Sequence, residues 1–297
     1  MAWYQYIWAP GIWGNPAVHT AWTAGTLVAL ASGAVGVFVV MRGQSFTGHA
    51  LGDVGTTGAA GAFLAGIGAL WGFLAAGAVT GGAVEWLGRR VRERDIATGV
   101  VMAFMLGLAA LFLYLVSIYT NASNAPMTIL FGSLFTVSPS LQPALVALSV
   151  AALAILALIY RPLLFSTATP EVARSRGIRV RLVGLAFMLA LVIAAEEAAL
   201  AVGAILSTAL LIGPAATAAR AARRPATAVL LGAGLAVGNI WLGILLAYDS
   251  YWWPPVHTGW PVSFFVTLLS LLMYGVGGLL QRGRRMRSLP VPQEGGR

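Results

Sequence analysis

The sequence predicts an all-α polytopic membrane protein with about nine membrane-spanning helices, or eight as the alternative, and three observations lead to this fold class. Hydrophobic residues make up 59% of the 297-residue chain, charged residues make up 9%, and the mean hydropathy is +0.85. Soluble domains carry about 25% charged residues, so the chain lacks the charge for a water-exposed surface. Most of it also divides into apolar stretches of about 20 residues, the length of a spanning helix.

The third observation is the position of the positive charges. The chain has no lysine, and its arginines lie at Arg42 and within residues 89–94, 161–181, 220–224 and 282–297. Cytoplasmic loops collect arginine, whereas spans and outer loops exclude it. The interval before Arg42 can hold one span and each later interval two, which predicts nine helices with the N-terminus outside. The net charge of +9 therefore reflects membrane orientation and not nucleic-acid binding.

The chain is expected to have three parts. Residues 1–17 are rich in tryptophan and tyrosine, which favour the membrane interface, so this segment is placed at the outer face. Residues 18–281 form the transmembrane domain, and residues 282–297 form a basic cytoplasmic tail.

The first span is expected at residues 18–40, followed by a tight hairpin of two spans at 46–67 and 68–87. Small residues four apart allow helices to approach closely. The pairs Gly68/Gly72 and Gly77/Gly81 are therefore expected on the packing face of this hairpin.

The fourth and fifth spans are expected at residues 96–118 and 143–160, with a short outer helix within 119–142. The sixth and seventh flank Glu196–Glu197 and end at Ala219, and the last two are expected at 226–247 and 262–280. The loop after the fifth span predicts a short cytoplasmic helix at residues 170–176. Thr169 would cap it, Pro170 would take its first position and Glu171 its first turn, and Gly177 would end it.

His49 and Asp53 are the leading candidates for a functional site. An ionisable group within a span is costly unless it faces a bundle interior, water or a ligand. Their spacing of four residues places both on one face of the second helix, and imidazole with carboxylate suits zinc, manganese or iron. The alternative is a structural clamp in which the histidine is hydrogen-bonded to the aspartate.

Glu196 and Glu197 form a second acidic pair, expected at the outer turn between the sixth and seventh spans. One interpretation is a solvated turn. The other is an acidic collar that attracts cations to the mouth of a pore.

Several function classes lack their motifs. The chain contains no cysteine and no GxxxxGK[ST] phosphate loop. We therefore expect neither thiolate metal ligands nor ATP hydrolysis by this chain, and nothing in the sequence indicates an enzyme.

Five stretches in order resemble the membrane permease of the metal-ion (zinc, manganese or iron) ABC importers. They are RGQSFTGHALGD at 42–53, RDIATG at 94–99, LFG at 130–132, PEVARSRG at 170–177 and GAILSTALLIGPAATA at 203–218. The family's aspartate and histidine on the second helix are exchanged here as His49 and Asp53, and its aspartate before Pro170 is Thr169.

The resemblance implies a type II importer-like permease that forms a metal pathway as a homodimer in the plasma membrane. It further implies separate ABC ATPase subunits inside, an extracytoplasmic metal-binding protein outside and no permanently bound cofactor, the divalent metal being cargo. His49 and Asp53 would line the path, and Pro170, Glu171, Ala173 and Gly177 would belong to the element that couples to the ATPase. The alternatives are a secondary transporter driven by an ion gradient and a membrane scaffold.

Overall fold

The computed structural model of the chain describes residues 12–87, 91–119, 125–132, 134–204, 207–253 and 259–287. In these ranges all regular structure is helical. Three short 3-10 turns accompany eleven α-helices: α1 (Pro16–Met41), α2 (Ser45–Leu64), α3 (Ala69–Leu87), α4 (Val91–Tyr119), α5 (Ala125–Phe131), α6 (Gln142–Ala168), α7 (Pro170–Ser175), α8 (Val180–Val202), α9 (Ser207–Ala221), α10 (Pro225–Ser250) and α11 (Val262–Arg287).

Six of the described helices are long and apolar enough to cross a membrane, namely α1, α4, α6, α8, α10 and α11. The helices α2, α3 and α9 have 20, 19 and 15 residues, while α5 and α7 are too short to cross. The prediction of an all-helical polytopic membrane protein is confirmed.

The helices α1 and α8 lie at the centre of the bundle, and α4 lies at its edge. Most of the apolar stretch of α1 and α8 is buried, against about a tenth of that of α4. Small residues permit this central packing. Gly33 of α1 rests on the backbone of Gly232 in α10, and Gly36 rests on the Leu211 carbonyl in α9.

The α2–α3 hairpin forms as expected, but its glycines have two different neighbours. The backbones of α2 and α3 meet at Gly58 and Gly72, where neither helix has room for a side chain. Gly77 and Gly81 instead face Val192 on α8. Their assignment to the packing face within the hairpin was therefore wrong, because this side of α3 lies against the central helix.

The break between the sixth and seventh expected spans lies at Gly203 and not at Glu196–Glu197. The helix α8 continues to Val202, and Gly203 turns the chain with a φ of 101°, a left-handed conformation that favours glycine. Its α-carbon packs against the backbone of Phe131 and Gly132 at the end of α5. Two of the stretches that carry the family resemblance thus meet at this break.

Both ends of the chain are described only in part. The outer aromatic segment lies mostly outside the described residues, whose first helix starts at Pro16 with the Asn15 side chain accepting from the Ala17 amide at 3.0 Å. At the other end, α11 continues as a helix to Arg287. Residues 282–287 of the basic tail are therefore helical.

Candidate metal site and coupling helix

His49 and Asp53 lie in the first half of α2, on the face that is not packed against the central helices. The adjoining face of α2 carries Gly48, Gly52 and Gly55, which contact α8 and α9. The side chain of His49 is 39% exposed and that of Asp53 is 15% exposed. The pair therefore remains reachable from an open face of the protomer.

The two side chains are close without being hydrogen-bonded to each other. The His49 Nε2 and Asp53 Oδ2 atoms are 3.6 Å apart, beyond the usual limit of about 3.2 Å for an N–H···O bond. The clamp interpretation requires that bond, so the geometry does not favour it. Two ligands each about 2.1 Å from one ion lie roughly 3.0–3.6 Å apart, so the pair has the separation of two ligands of one metal.

A third residue orients the imidazole. His49 Nδ1 is 2.8 Å from the Thr208 hydroxyl in the first turn of α9. A metal-binding histidine commonly donates its second ring N–H to such an oxygen, which leaves the other nitrogen free for the ion. Sequence reasoning missed Thr208, because a contact across 159 residues leaves no periodic signal.

One protomer supplies few ligands at this position. Among the described residues no group of three or more His, Cys, Asp or Glu side chains could hold a metal ion. A stable site for zinc usually has three or four protein ligands. His49 and Asp53 in one chain therefore suit brief capture of an ion, or half of a site shared with a second copy.

The acidic pair of α8 is enclosed. Glu196 and Glu197 are each 0% exposed, and they lie inside the helix, before its end at Val202. The expectation of a solvated turn was wrong, because α8 is the central helix and its outer part is covered on all sides. A collar at a pore mouth needs carboxylates that cations can reach, and these are not reachable within the protomer.

The two carboxyl groups point to different neighbours. The Glu197 carboxyl accepts a hydrogen bond of 3.0 Å from Ser149 on α6. The Glu196 carboxyl lies between Gly55 of α2 and Gly77 of α3, and neither of its oxygens has a hydrogen-bond partner among the described residues. Leaving such a group unpaired costs about 1–3 kcal/mol or more.

The short helix α7 forms where the sequence predicts it. The amide of Gly177 donates to the Arg174 carbonyl and that of Ile178 to the Ala173 carbonyl, each at 3.0 Å. Gly177 has a φ of 78°, which completes a Schellman end. Thr169 holds the N-cap position, but its side chain makes no capping hydrogen bond.

The residues of α7 divide between two faces. Pro170, Glu171 and Gly177 are exposed, so they are available to a partner. Ala173 is 0% exposed and lies on the side of α7 that packs against α6 and α8. Of the four residues assigned to ATPase coupling, Ala173 is therefore the one that packs α7 against the bundle and is not exposed to a partner.

The family follows from a comparison with known proteins. Residues 15–273 match the model of the ABC 3 transport family, a range that includes the His49–Asp53 pair, α7 and the break at Gly203. This chain belongs to the ABC 3 transport family. Together with the manganese permeases that it resembles, this membership makes the chain a metal-ion ABC transporter permease. Its apolar helices make it a multi-pass protein of the plasma membrane.

Relatives whose names state a transport role are similar in sequence to most of this chain. The manganese import system permease protein ScaB of Streptococcus parasanguinis is 28% identical over 75% of this chain and 78% of its own length. The manganese transport system membrane protein MntC of Halalkalibacterium halodurans is 31% identical over 68% of each chain.

A solved structure shows the same fold. It is PsaBC from Streptococcus pneumoniae in complex with Fab, with a TM-score of 0.81 and 21% identity over 96% of this chain and 99% of the matched one. The similarity spans nearly the whole of both chains, so the two chains share the helical arrangement described above.

Proposed function

We propose that this chain is the permease of an importer that carries a divalent metal ion, with manganese as the first candidate and zinc and iron as alternatives. The observation that supports this most is the His49–Asp53 pair, whose nitrogen and oxygen lie 3.6 Å apart on an open face of α2. The manganese permeases among its relatives favour manganese. One imidazole and one carboxylate suit all three ions.

Transport needs an incomplete site. An ion that meets all its ligands in one rigid protomer would leave slowly, whereas conduction requires release as well as capture. In our proposal two copies of the chain face each other across the path. Their His49 and Asp53 side chains then supply up to four ligands, which separate again when the path opens inward.

The proposed assembly contains two further kinds of subunit. The chain lacks a nucleotide-binding loop, so ATP hydrolysis is assigned to separate ABC ATPase subunits that contact the exposed face of α7. An extracytoplasmic metal-binding protein delivers the ion to the outer face. In this proposal the nine helices of at least 15 residues in the described part of the chain all cross the membrane, since this number keeps each arginine cluster inside.

Uptake by the reconstituted complex tests the proposal. Vesicles that contain the chain with its ATPase are loaded with ATP, and uptake of manganese, zinc and iron is measured at graded concentrations. In His49→Ala and Asp53→Ala we expect uptake below about a tenth of wild type, since even a change in a ligand's support costs about 10- to 100-fold in metal affinity.

The control is His19→Ala, which removes an exposed imidazole from the first turns of α1 and should leave uptake unchanged. Thermal unfolding is measured on the same preparations. Full transport in both site variants would end the ligand assignment. Uptake by the chain alone, driven by a proton or sodium gradient without ATP, would overturn the importer assignment.

A further inference from the structure

Arg42 lies in the three-residue turn that joins α1 to α2, and its side chain contacts two other helices. Its Nη1 atom is 3.4 Å from the hydroxyl oxygens of Ser166 and Thr167 in the last turn of α6. Its guanidinium also lies over the ring of Phe187 in α8, 5.3 Å from the ring centre. One side chain thus links the α1–α2 turn to α6 and α8.

The hydroxyl groups are oriented to accept from this arginine. Ser166 and Thr167 both donate to the Leu163 carbonyl, at 2.9 and 2.7 Å. Each hydroxyl has one hydrogen to donate, so their oxygens are left as acceptors for Arg42. A planar guanidinium with five N–H groups can serve two acceptors and stack on a ring at once, which a lysine ammonium cannot do.

The partners of Arg42 belong to a rigid part of the bundle. Phe187 packs edge to face on Phe38 of α1, with 6.3 Å between ring centres, and Phe38 packs in the same way on Tyr160 of α6 at 5.8 Å. These rings join α1, α6 and α8 below the guanidinium. The rings therefore tie the end of α1 to α6 and α8.

The position of this link along the chain gives it a role. Thr167 lies three residues before Pro170, where α7 begins, and Arg42 lies three residues before Ser45, where α2 begins. The helix α7 packs on α6 and α8, whereas α2 packs mainly on α3, α4 and α8 and hardly on α1. The turn at Arg42 thus joins the α6–α7 corner to the start of the helix that carries His49, beside the packing that both share with α8.

The turn itself is stiff enough to transmit displacement. At the end of α1 the Gly43 amide donates to the Val40 carbonyl at 3.1 Å, and the Gln44 amide donates to the Val39 carbonyl at 2.9 Å. With Gly43 at a φ of 65°, this is a Schellman end. The α2 helix follows it directly at Ser45.

We infer that Arg42 is a positioning residue for transport: it holds the α1–α2 turn on the α6–α7 corner, so that displacement of α7 by the ATPase displaces α2 and its metal ligands. This inference rests on the proposed function, because it needs an ATPase that pushes on α7. Arg42 itself binds neither metal nor nucleotide. Its loss therefore separates ATP hydrolysis from transport and leaves both binding sites intact.

The test measures metal uptake and ATP hydrolysis on the same vesicles, with manganese as the probe. In Arg42→Gln we expect the number of ions imported per ATP to fall about tenfold, a change of the size found for residues that share one network. Basal ATP hydrolysis and the metal concentration for half-maximal uptake should stay within about twofold of wild type. In Arg42→Lys the number of ions imported per ATP should lie between that of Arg42→Gln and that of wild type.

A second variant removes the same link from its other side. Ser166→Ala combined with Thr167→Val should lower the number of ions imported per ATP as much as Arg42→Gln does. All three changes together should lower it little further, because they remove the same interaction. This pair keeps the inference testable if Arg42→Gln does not fold. Arg161→Gln is the control, since Arg161 is exposed on the same helix, and its ratio should match wild type.

A wild-type ratio in Arg42→Gln, or in the Ser166/Thr167 variant, would overturn the inference. So would a full additive loss when all three changes are combined. Failure of the proposed function gives a different result, because the wild-type complex would then import no metal with ATP. If the wild-type complex transports metal and the variants keep its ratio of ions to ATP, the role of Arg42 is rejected and the importer assignment stands.

Discussion

The two ionisable pairs of the membrane domain, His49–Asp53 on α2 and Glu196–Glu197 on α8, look alike in the sequence and differ in the structure. The α2 pair lies on an open face, with its ring held by Thr208. The α8 pair is fully enclosed, and Glu196 has no hydrogen-bond partner among the described residues. An ionisable residue in a span is thus a first indication of function, and its access to the path decides which role it can have.

The largest effect that sharpens this comparison is expected at Thr208. In Thr208→Val the Nδ1 atom of His49 loses its partner, so the ring is no longer fixed toward Asp53. We expect the metal concentration for half-maximal uptake to rise about 10- to 100-fold, as for other changes in the support of a metal ligand. Uptake at graded metal concentrations measures it.

Thr217→Val on the same helix is the matched control. Thr217 donates to the Gly213 carbonyl one turn earlier and does not touch His49. An equal rise in both variants would show that α9 tolerates no such change and that Thr208 has no special part in the site.

The next effect tests how tightly the α8 pair is enclosed. In Gly77→Val the new β-carbon would lie 2.9 Å from atoms of Glu196 and Val192, so α3 and α8 must separate. Overpacking of this kind costs about 1–3 kcal/mol, and the thermal unfolding temperature should fall. Gly107→Val on α4 is the control, because nothing lies within 4 Å of its added carbon. Equal falls would mean that the enclosure is loose.

The smallest effect concerns the Glu196 carboxyl itself. In Glu196→Met an apolar chain of similar length replaces a buried polar group without a partner, so stability should rise by up to about 1 kcal/mol. Glu197→Met should bring no gain, because it leaves the Ser149 hydroxyl without its acceptor. Thermal unfolding of both variants measures the difference, and a clear loss of stability in Glu196→Met would show that the carboxyl has a partner.

Composition and charge predict most of this fold, because a bilayer imposes a fixed helix length and an arginine bias on the chain. The end of α7 was also predictable from the sequence, since Gly177 after a short helix is a local signal. The break after α8 was not predictable from the sequence. Gly203 lies inside a continuous apolar run, and a glycine there does not by itself mark a turn.

The site was predictable only where its residues are neighbours in sequence. His49 and Asp53 follow from a spacing of four on one helix, whereas Thr208 and the α6 partners of Arg42 come from distant segments. The burial of individual side chains was the other feature that the sequence did not predict. The sequence shows that Glu196 and Ala173 lie on helices, and only the packing of α8 and α7 shows that both side chains point inward.

The shortness of α9 has a consequence for the surrounding lipid. Its 15 residues rise about 22 Å at 1.5 Å per residue, less than the roughly 30 Å of a hydrocarbon core. In the proposed nine-helix arrangement, in which α9 crosses the membrane, Gly203 would therefore lie below the membrane surface. Helix ends at that depth persist only where other protein segments cover them, and here the Ile129 carbonyl of α5 accepts from the Ala204 amide at 3.4 Å. This arrangement predicts that the protein is sensitive to hydrophobic mismatch, so transport should vary with the acyl-chain length of the host bilayer.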